Sequence, residues 1–313
     1  MLEYSIGLDL GGTNLRAAAI DRSGKILGRR ATDTNPAAGR EAMLGHMVNS
    51  IADLRGECGA ANLSGIGIGV PGFILLQEGV IRNSNNLACI EDFPIRDEIE
   101  HRLGARVILE NDANAAALGE KWMGAGRDVD DLVLLTLGTG IGGGIISGGR
   151  VLHGHVGMAG EIGHTTVVPG GNPCGCGNQG CLEKHASATA ITGMANMLHL
   201  GENLSSREVY DLAMAGNEKA HAIFIAVGQA LGVALATLVN TFNFPLYLLS
   251  GGVLAAWELF APPMMEEVRR RSFTFRSTHT RIEPATLGGE AGLFGAACLP
   301  WVEAISKPAV FTE

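Results

Sequence analysis

Residues 4–20 read YSIGLDLGGTNLRAAAI, an apolar run interrupted once by Gly11-Gly12-Thr13 and then resumed. Two apolar segments joined by a glycine turn predict a β-hairpin, strand Tyr4–Leu10 and strand Leu15–Ile20, followed by a turn at Asp21-Arg22-Ser23-Gly24. Residues 132–147, LVLLTLGTGIGGGIIS, repeat the device: strand Leu132–Leu137, turn Gly138-Thr139-Gly140, return strand Gly144–Ser147. An internal duplication accounts for both. Helices and further strands alternate around these hairpins. Met43, Leu44, Met47, Val48, Ile51 and Leu54 mark one helix face, and Ile66–Val70 is a strand ending at Pro71-Gly72. Val107–Glu110 predicts a strand, Asn111–Trp122 an Ala-rich helix, and Ala186–Leu198, Ser206–Ala215 and Ala220–Phe242 three more helices. Leu246–Leu249 is a strand running into Ser250-Gly251-Gly252, and a last helix covers Glu290–Ile305. The class is α/β. No Pro- or Ser-rich linker occurs, so the domain border is expected as a packed hinge near Asn111–Ala115.

The 313 residues allow one large domain or two of ordinary size. Glycine is in excess, 45 residues, and 46% hydrophobic content suffices for a sizeable core. The net charge of −9 argues against binding along a phosphate backbone, so no nucleic-acid partner is expected. No apolar run is read as reaching the ~18–20 residues of a membrane helix, and MLEYSIGLDL lacks a signal-peptide pattern. The expectation is a cytoplasmic protein without a membrane partner.

Gly67-Gly69-Gly72 and Gly138-Gly140-Gly143 match G-x-G-x-x-G, but each runs into strand-like sequence rather than a helix, so a dinucleotide site fails on context. Phosphate binding survives. Backbone N–H groups in tight glycine turns form anion-binding concavities. Two such turns carry Thr13 and Thr139, with Asp9 ahead of the first. The alternative is a glycine turn with no ligand. Asp112, between strand and helix, either caps the helix or serves as a general base at a strand's carboxyl end.

Among six cysteines, Cys174, Cys176 and Cys181 fall close together after His164, with the spacing H-x9-C-x-C-x4-C. Four N/S ligands on a glycine-rich loop fit a closed structural zinc site better than a redox C-x-C pair. Glu161 and Glu183 flank the cluster. Carboxylates and an imidazole held by a metal suit hydrogen bonding to a polyhydroxylated substrate.

Taken together these motifs resemble the ROK family (repressors, open-reading-frame proteins and kinases), nearly end to end. Asp9-Leu-Gly-Gly-Thr13 and Leu137-Gly-Thr-Gly-Ile-Gly-Gly-Gly144 are similar to its two phosphate motifs, and Leu249-Ser-Gly-Gly-Val253 to its adenosine motif. Glu110-Asn-Asp-Ala113 looks like its catalytic segment, and His164 through Cys181 like its zinc element. The resemblance implies a two-domain actin-like ATPase (ribonuclease H-like) fold with a cleft between domains. It implies a small α/β domain over residues 1–112, completed by a C-terminal helix at about 295–313, and a larger one over 113–294 carrying the zinc loop. Asp112 is then the base acting on the 6-hydroxyl of a hexose, glucose foremost. Asn111, Glu161, His164 and Glu183, with Gly72 and Asn86, hold the other hydroxyls. Gly11, Gly12, Thr13, Asn14, Gly138, Thr139, Gly140, Gly251 and Gly252 surround ATP, which brings Mg²⁺, and a structural Zn²⁺ sits on His164, Cys174, Cys176 and Cys181. Asn14 stands where many relatives carry Lys, with Arg16 nearby. N-acetylmannosamine, N-acetylglucosamine, fructose or allose as acceptor, and polyphosphate as donor, are the alternatives within the class. The family also contains sugar-responsive repressors with a helix-turn-helix domain ahead of the first phosphate motif. Here only eight residues precede Asp9, which disfavours that reading. Relatives are often homodimers.

Overall fold

The structure is a computed structural model and describes residues 3–84 and 87–306. The chain divides into two compact units. The first comprises Met1–Asp130, Gly144–Ala159 and Gly289–Glu313, and the second Asp131–Gly143 and Gly160–Gly288.

In the first unit the opening hairpin forms as read: β1 (Tyr4–Leu10) pairs antiparallel with β2 (Asn14–Asp21). A third strand, β3 (Ile26–Asp33), extends it. Its alternation of half-buried and exposed positions, with Arg29 and Arg30 in the middle, hides it from a search for apolar runs. Helix α1 (Arg40–Cys58) buries Met43, Leu44, Met47, Ile51 and Leu54 in the core, while Val48 stays half-buried at its margin. The parallel strand β4 (Leu63–Val70) follows, then the small hairpin β5 (Phe73–Leu75) and β6 (Val80–Asn83), helix α2 (Ile95–Leu103), and β7 (Val107–Asn111) parallel to β4. The sheet order is β3-β2-β1-β4-β7. Helix α3 (Asp112–Met123) leaves directly from β7.

In the second unit, β8 (Leu132–Leu137) leads into β9 (Ile141–Ser147), which passes into the first unit and pairs there with β10 (Arg150–Val151). The short α4 (Glu183–Ala186), α5 (Ala188–Met197) and α6 (Ser206–Met214) precede α7 (Glu218–Phe242). Strand β11 (Leu246–Ser250) runs parallel to β8, then come α8 (Trp257–Arg271) and β12 (Arg281–Pro284), parallel to β11. The strand order, β10-β9-β8-β11-β12, repeats that of the first sheet: hairpin strands, then two parallel partners on the other side. The duplication read from two glycine turns therefore extends to topology.

Helix α7 corrects one expectation. By length and composition it is apolar enough to cross a membrane, so a run of that length does exist; 67% of its most apolar window is buried, and it packs on α8 and α6. Helix α8 carries Pro262 and Pro263 inside it, which is why no helix is legible there. The last helix, α9 (Ala291–Ser306), belongs to the first unit, where it packs on α3, β1 and β4. The border expected after Asp112 thus falls inside that unit. Small residues permit the approach: a Cβ on Gly295 would overlap the Ala115 carbonyl, and one on Gly67 the Ala296 carbonyl.

Candidate functional site

Asp9 lies near the end of β1, its side chain 15% exposed, and the turn behind it is closed by Gly11 N–H donating to Asn14 O at 2.9 Å. Thr34 clamps this turn twice, its N–H donating to Thr13 O at 2.9 Å and its hydroxyl to Gly11 O at 2.7 Å. Arg16 pairs with Asp9 across the hairpin, and its other nitrogen lies 3.8 Å from Glu290, which also takes Arg29 at 2.7 Å. The half-exposed Arg16 makes this pair weak as a stabiliser. Its consequence is positional: a cation stands beside the Gly11-Gly12-Thr13 turn although Asn14 carries none. Sequence reading noted Arg16 only as nearby; the hairpin register, Leu10 opposite Leu15 and Asp9 opposite Arg16, was the signal that places it.

At the β7–α3 junction the capping role open to Asp112 falls to its neighbour. Asn111 is the N-cap: its side-chain oxygen accepts from Ala113 N–H at 2.9 Å and Asn114 N–H at 3.2 Å. Asp112 is therefore the first helical residue, exposed, with one carboxylate oxygen also reached by Ala113 N–H at 2.9 Å. Asn111 Nδ2 donates to the Gly72 carbonyl at 3.3 Å, so Gly72, Asn111 and Asp112 meet at the carboxyl ends of β4 and β7. Gly72 adopts φ +110°, a conformation that favours glycine. Asn86 lies outside the described residues. Glu110, buried behind Asp112, binds His153 at 2.7 Å, a pairing sequence reading missed because 43 residues separate the two.

In the second unit the turns at Gly138-Thr139-Gly140 and Gly251-Gly252 follow neighbouring parallel strands, with Ser250 in register with Thr136. Gly138 N–H donates to Gly140 O at 3.0 Å, and the hydroxyl of Thr189 donates to Thr139 O at 2.8 Å. Glu183 accepts from Ile141 N–H at 3.2 Å, and a Cβ on Gly140 would run into its carboxylate. Gly251 has φ +99° and sits against the Leu137 backbone, which a Cβ would overlap. Gly251→Ala is expected to cost about 1–3 kcal/mol of stability through strain and that clash. Denaturant unfolding of the variant checks this, and an unchanged midpoint would refute it.

His164, Cys174, Cys176 and Cys181 converge, with one candidate ligand atom of each within 4.8 Å of all the others. His164 Nδ1 stands 3.6 Å from Cys174 Sγ, while its Nε2 faces Glu161 at 3.9 Å. The ring thus offers one nitrogen to the thiols and the other to the carboxylate. Burial pushes the Cys181 thiol up to about 11, and the Asn178 backbone N–H draws Cys176 down. Three sulfurs and one imidazole this close form a donor set that could hold a soft or borderline cation. Glu161 is exposed, and the Glu183 carboxylate turns toward the Gly138-Thr139-Gly140 turn.

The ROK family model matches residues 5–302. The chain is 36% identical to a glucokinase of Halalkalibacterium halodurans over 312 residues, 95% of this chain and 94% of that protein. The crystal structure of a ROK hexokinase from Thermus thermophilus has 37% identity and a TM-score of 0.89, covering 97% of this chain and 100% of that one. A ROK family glucokinase from Streptomyces griseus, solved with glucose and AMPPNP, has 34% identity and a TM-score of 0.77, covering 95% and 98%.

Proposed function

Because the chain belongs to the ROK family and has its actin-like ATPase fold, we propose that it is an ATP-dependent hexose kinase that phosphorylates glucose at the 6-hydroxyl. The observation carrying the catalytic assignment is the division of labour at the β7–α3 junction: Asn111 caps the helix and leaves the Asp112 carboxylate exposed. Asp112 accepts the proton of the 6-hydroxyl as that oxygen bonds to the γ-phosphorus. The bond from phosphorus to the bridging oxygen breaks, and ADP leaves with the electron pair. Phosphoryl transfer to an alcohol is mostly positioning and charge stabilisation, with Mg²⁺ neutralising the phosphates.

Gly11, Gly12, Thr13 and Asn14, with Asp9, serve the phosphates from the first unit. Gly138, Thr139, Gly140, Gly251 and Gly252 serve the nucleotide from the second. Gly72 and Asn111 orient the sugar beside Asp112, and Glu161, His164 and Glu183 take its other hydroxyls. His164, Cys174, Cys176 and Cys181 hold a structural Zn²⁺; the converging ligand atoms and the thiol-rich donor set support that choice of metal. Relatives are often homodimers, which supports a homodimer here, and the net charge of −9 argues against a nucleic-acid partner.

A coupled ADP-release assay with ATP and Mg²⁺ across glucose, mannose, fructose, allose, N-acetylglucosamine and N-acetylmannosamine tests the reading. Glucose is expected to give the highest kcat/KM. A higher value for an N-acylhexosamine would move the assignment there, and no turnover with any of the six would end the hexokinase reading.

A further inference from the structure

We propose that Glu110 and His153 form a charged clamp that positions Asp112 for proton abstraction, an inference that rests on Asp112 being the base. Glu110 is 3% exposed, and both its oxygens are engaged. Oε2 accepts from His153 Nε2 at 2.7 Å. Oε1 accepts from Asn111 N–H at 2.9 Å and from Asn114 Nδ2 at 3.1 Å. The carboxylate thus grips the residue before Asp112 by its backbone and the residue two places after it by its side chain. The N-terminus of α3 is fixed on both flanks of the base. A buried carboxylate with these partners is tolerated, but one stripped of them costs several kcal/mol, so the clamp holds only while its partners stay.

His153 supplies the opposing charge. It follows β10 in the first unit, where Leu152 N–H donates to Ile145 O at 2.8 Å and His153 O accepts from Ala159 N–H at 3.1 Å. With Glu110 it lines a cavity of about 900 Å³ within that unit, and its side chain is 39% exposed, so the ring exchanges protons with solvent. The hydrogen bond it donates to Glu110 raises the imidazole above its ordinary value of 6.5, against burial, which lowers it. Other charged groups line the same cavity: Glu78 beyond β5, Arg96, Asp97 and Glu100 on α2, and Arg106 before β7. Arg150 of β10 and His155 complete that set. Arg96 is committed to Asp97 at 3.0 Å and to the Leu76 and Gln77 carbonyls, and Glu100 to Val107 N–H at 2.7 Å. The pair's contribution to stability is whole below pH 6.5 and is lost as pH rises through the raised value.

The experiment compares Glu110→Gln, His153→Gln and Asp112→Asn in full-chain enzyme, by steady-state kinetics over pH 5.5–9 and by NMR titration of the His153 ring. Glu110→Gln is expected to lower kcat at least ~10-fold while KM for the sugar changes by less than about threefold, because a displaced base slows chemistry more than binding. Its His153 ring should titrate lower than in the unaltered enzyme. His153→Gln keeps a donor without charge; it should lower kcat and remove the decline of kcat above neutral pH, and it carries the test if Glu110→Gln does not fold. Unaltered kcat and pH profile in both glutamine variants, with Asp112→Asn inactive, would overturn the clamp and leave the base in place. Full turnover in Asp112→Asn would overturn the base reading itself, and the clamp with it.

Discussion

Asp112→Asn is expected to lower kcat by at least ~10²-fold, since general-base catalysis supplies ~10²–10⁴. The substitution is close to isosteric, and the amide oxygen can still accept from Ala113 N–H, the contact the carboxylate makes at 2.9 Å. The helix start stays secured by Asn111, which accepts from two backbone N–H groups on its own. The loss is therefore confined to the proton acceptor, and thermal unfolding should move by no more than ~2 °C, under 1 kcal/mol for a chain of this size. KM values for glucose and ATP should stay near those of the unaltered enzyme. Turnover within threefold of the unaltered enzyme would remove Asp112 from the mechanism; a large fall in unfolding temperature would mean that the cap argument is wrong.

The second large effect concerns the sulfur cluster. Pro169–Gln179 is exposed or half-buried throughout, and Gly170, Gly175 and Gly177 have open space where a side chain would sit, so little apolar packing holds this loop. What converges is one imidazole and three sulfurs. Cys181→Ser is expected to take bound zinc from about one equivalent to under ~0.2, and the unfolding temperature down by at least ~5 °C. That corresponds to at least about 1–2.5 kcal/mol at 2–4 °C per kcal/mol. KM for the sugar should rise too, since Glu183 lies two residues beyond Cys181 and Glu161 faces His164. Because burial pushes the Cys181 thiol up to about 11, binding must displace its proton, and zinc affinity should fall as pH falls. Complete loss of zinc with unfolding temperature and KM unmoved would show that packing alone holds the loop.

Much of this molecule is readable before folding, for a definite reason. Glycine turns after apolar strands are local, and their consequences stay local: β1, β2, β4, β7, β8 and β11 lie where the runs place them. The cysteine spacing is equally local, and the four ligand candidates do converge. What escaped depends on partners distant in sequence or on half-buried faces. Strands β3 and β12 alternate or are short, α2 is only nine residues long, and α8 is masked by two prolines. The Glu110–His153 pair needs β10 and the segment after it brought onto β7, which no spacing rule announces. Arg16 was within reach, since a hairpin's register follows from its turn, and the register sets Arg16 opposite Asp9.

The return of α9 to the first unit has a consequence for biosynthesis. The chain emerges amino end first, so residues 160–288 of the second unit are made before α9 exists. Until then Ala18 and Ile20 lack Leu293 and Ala297, their partners in one apolar cluster, and Gly67 lacks the helix that its missing side chain admits. The first unit is begun early and finished late. A nascent chain halted before residue 289 carries its phosphate turn on a sheet with one apolar face still open, a species for chaperones to shield.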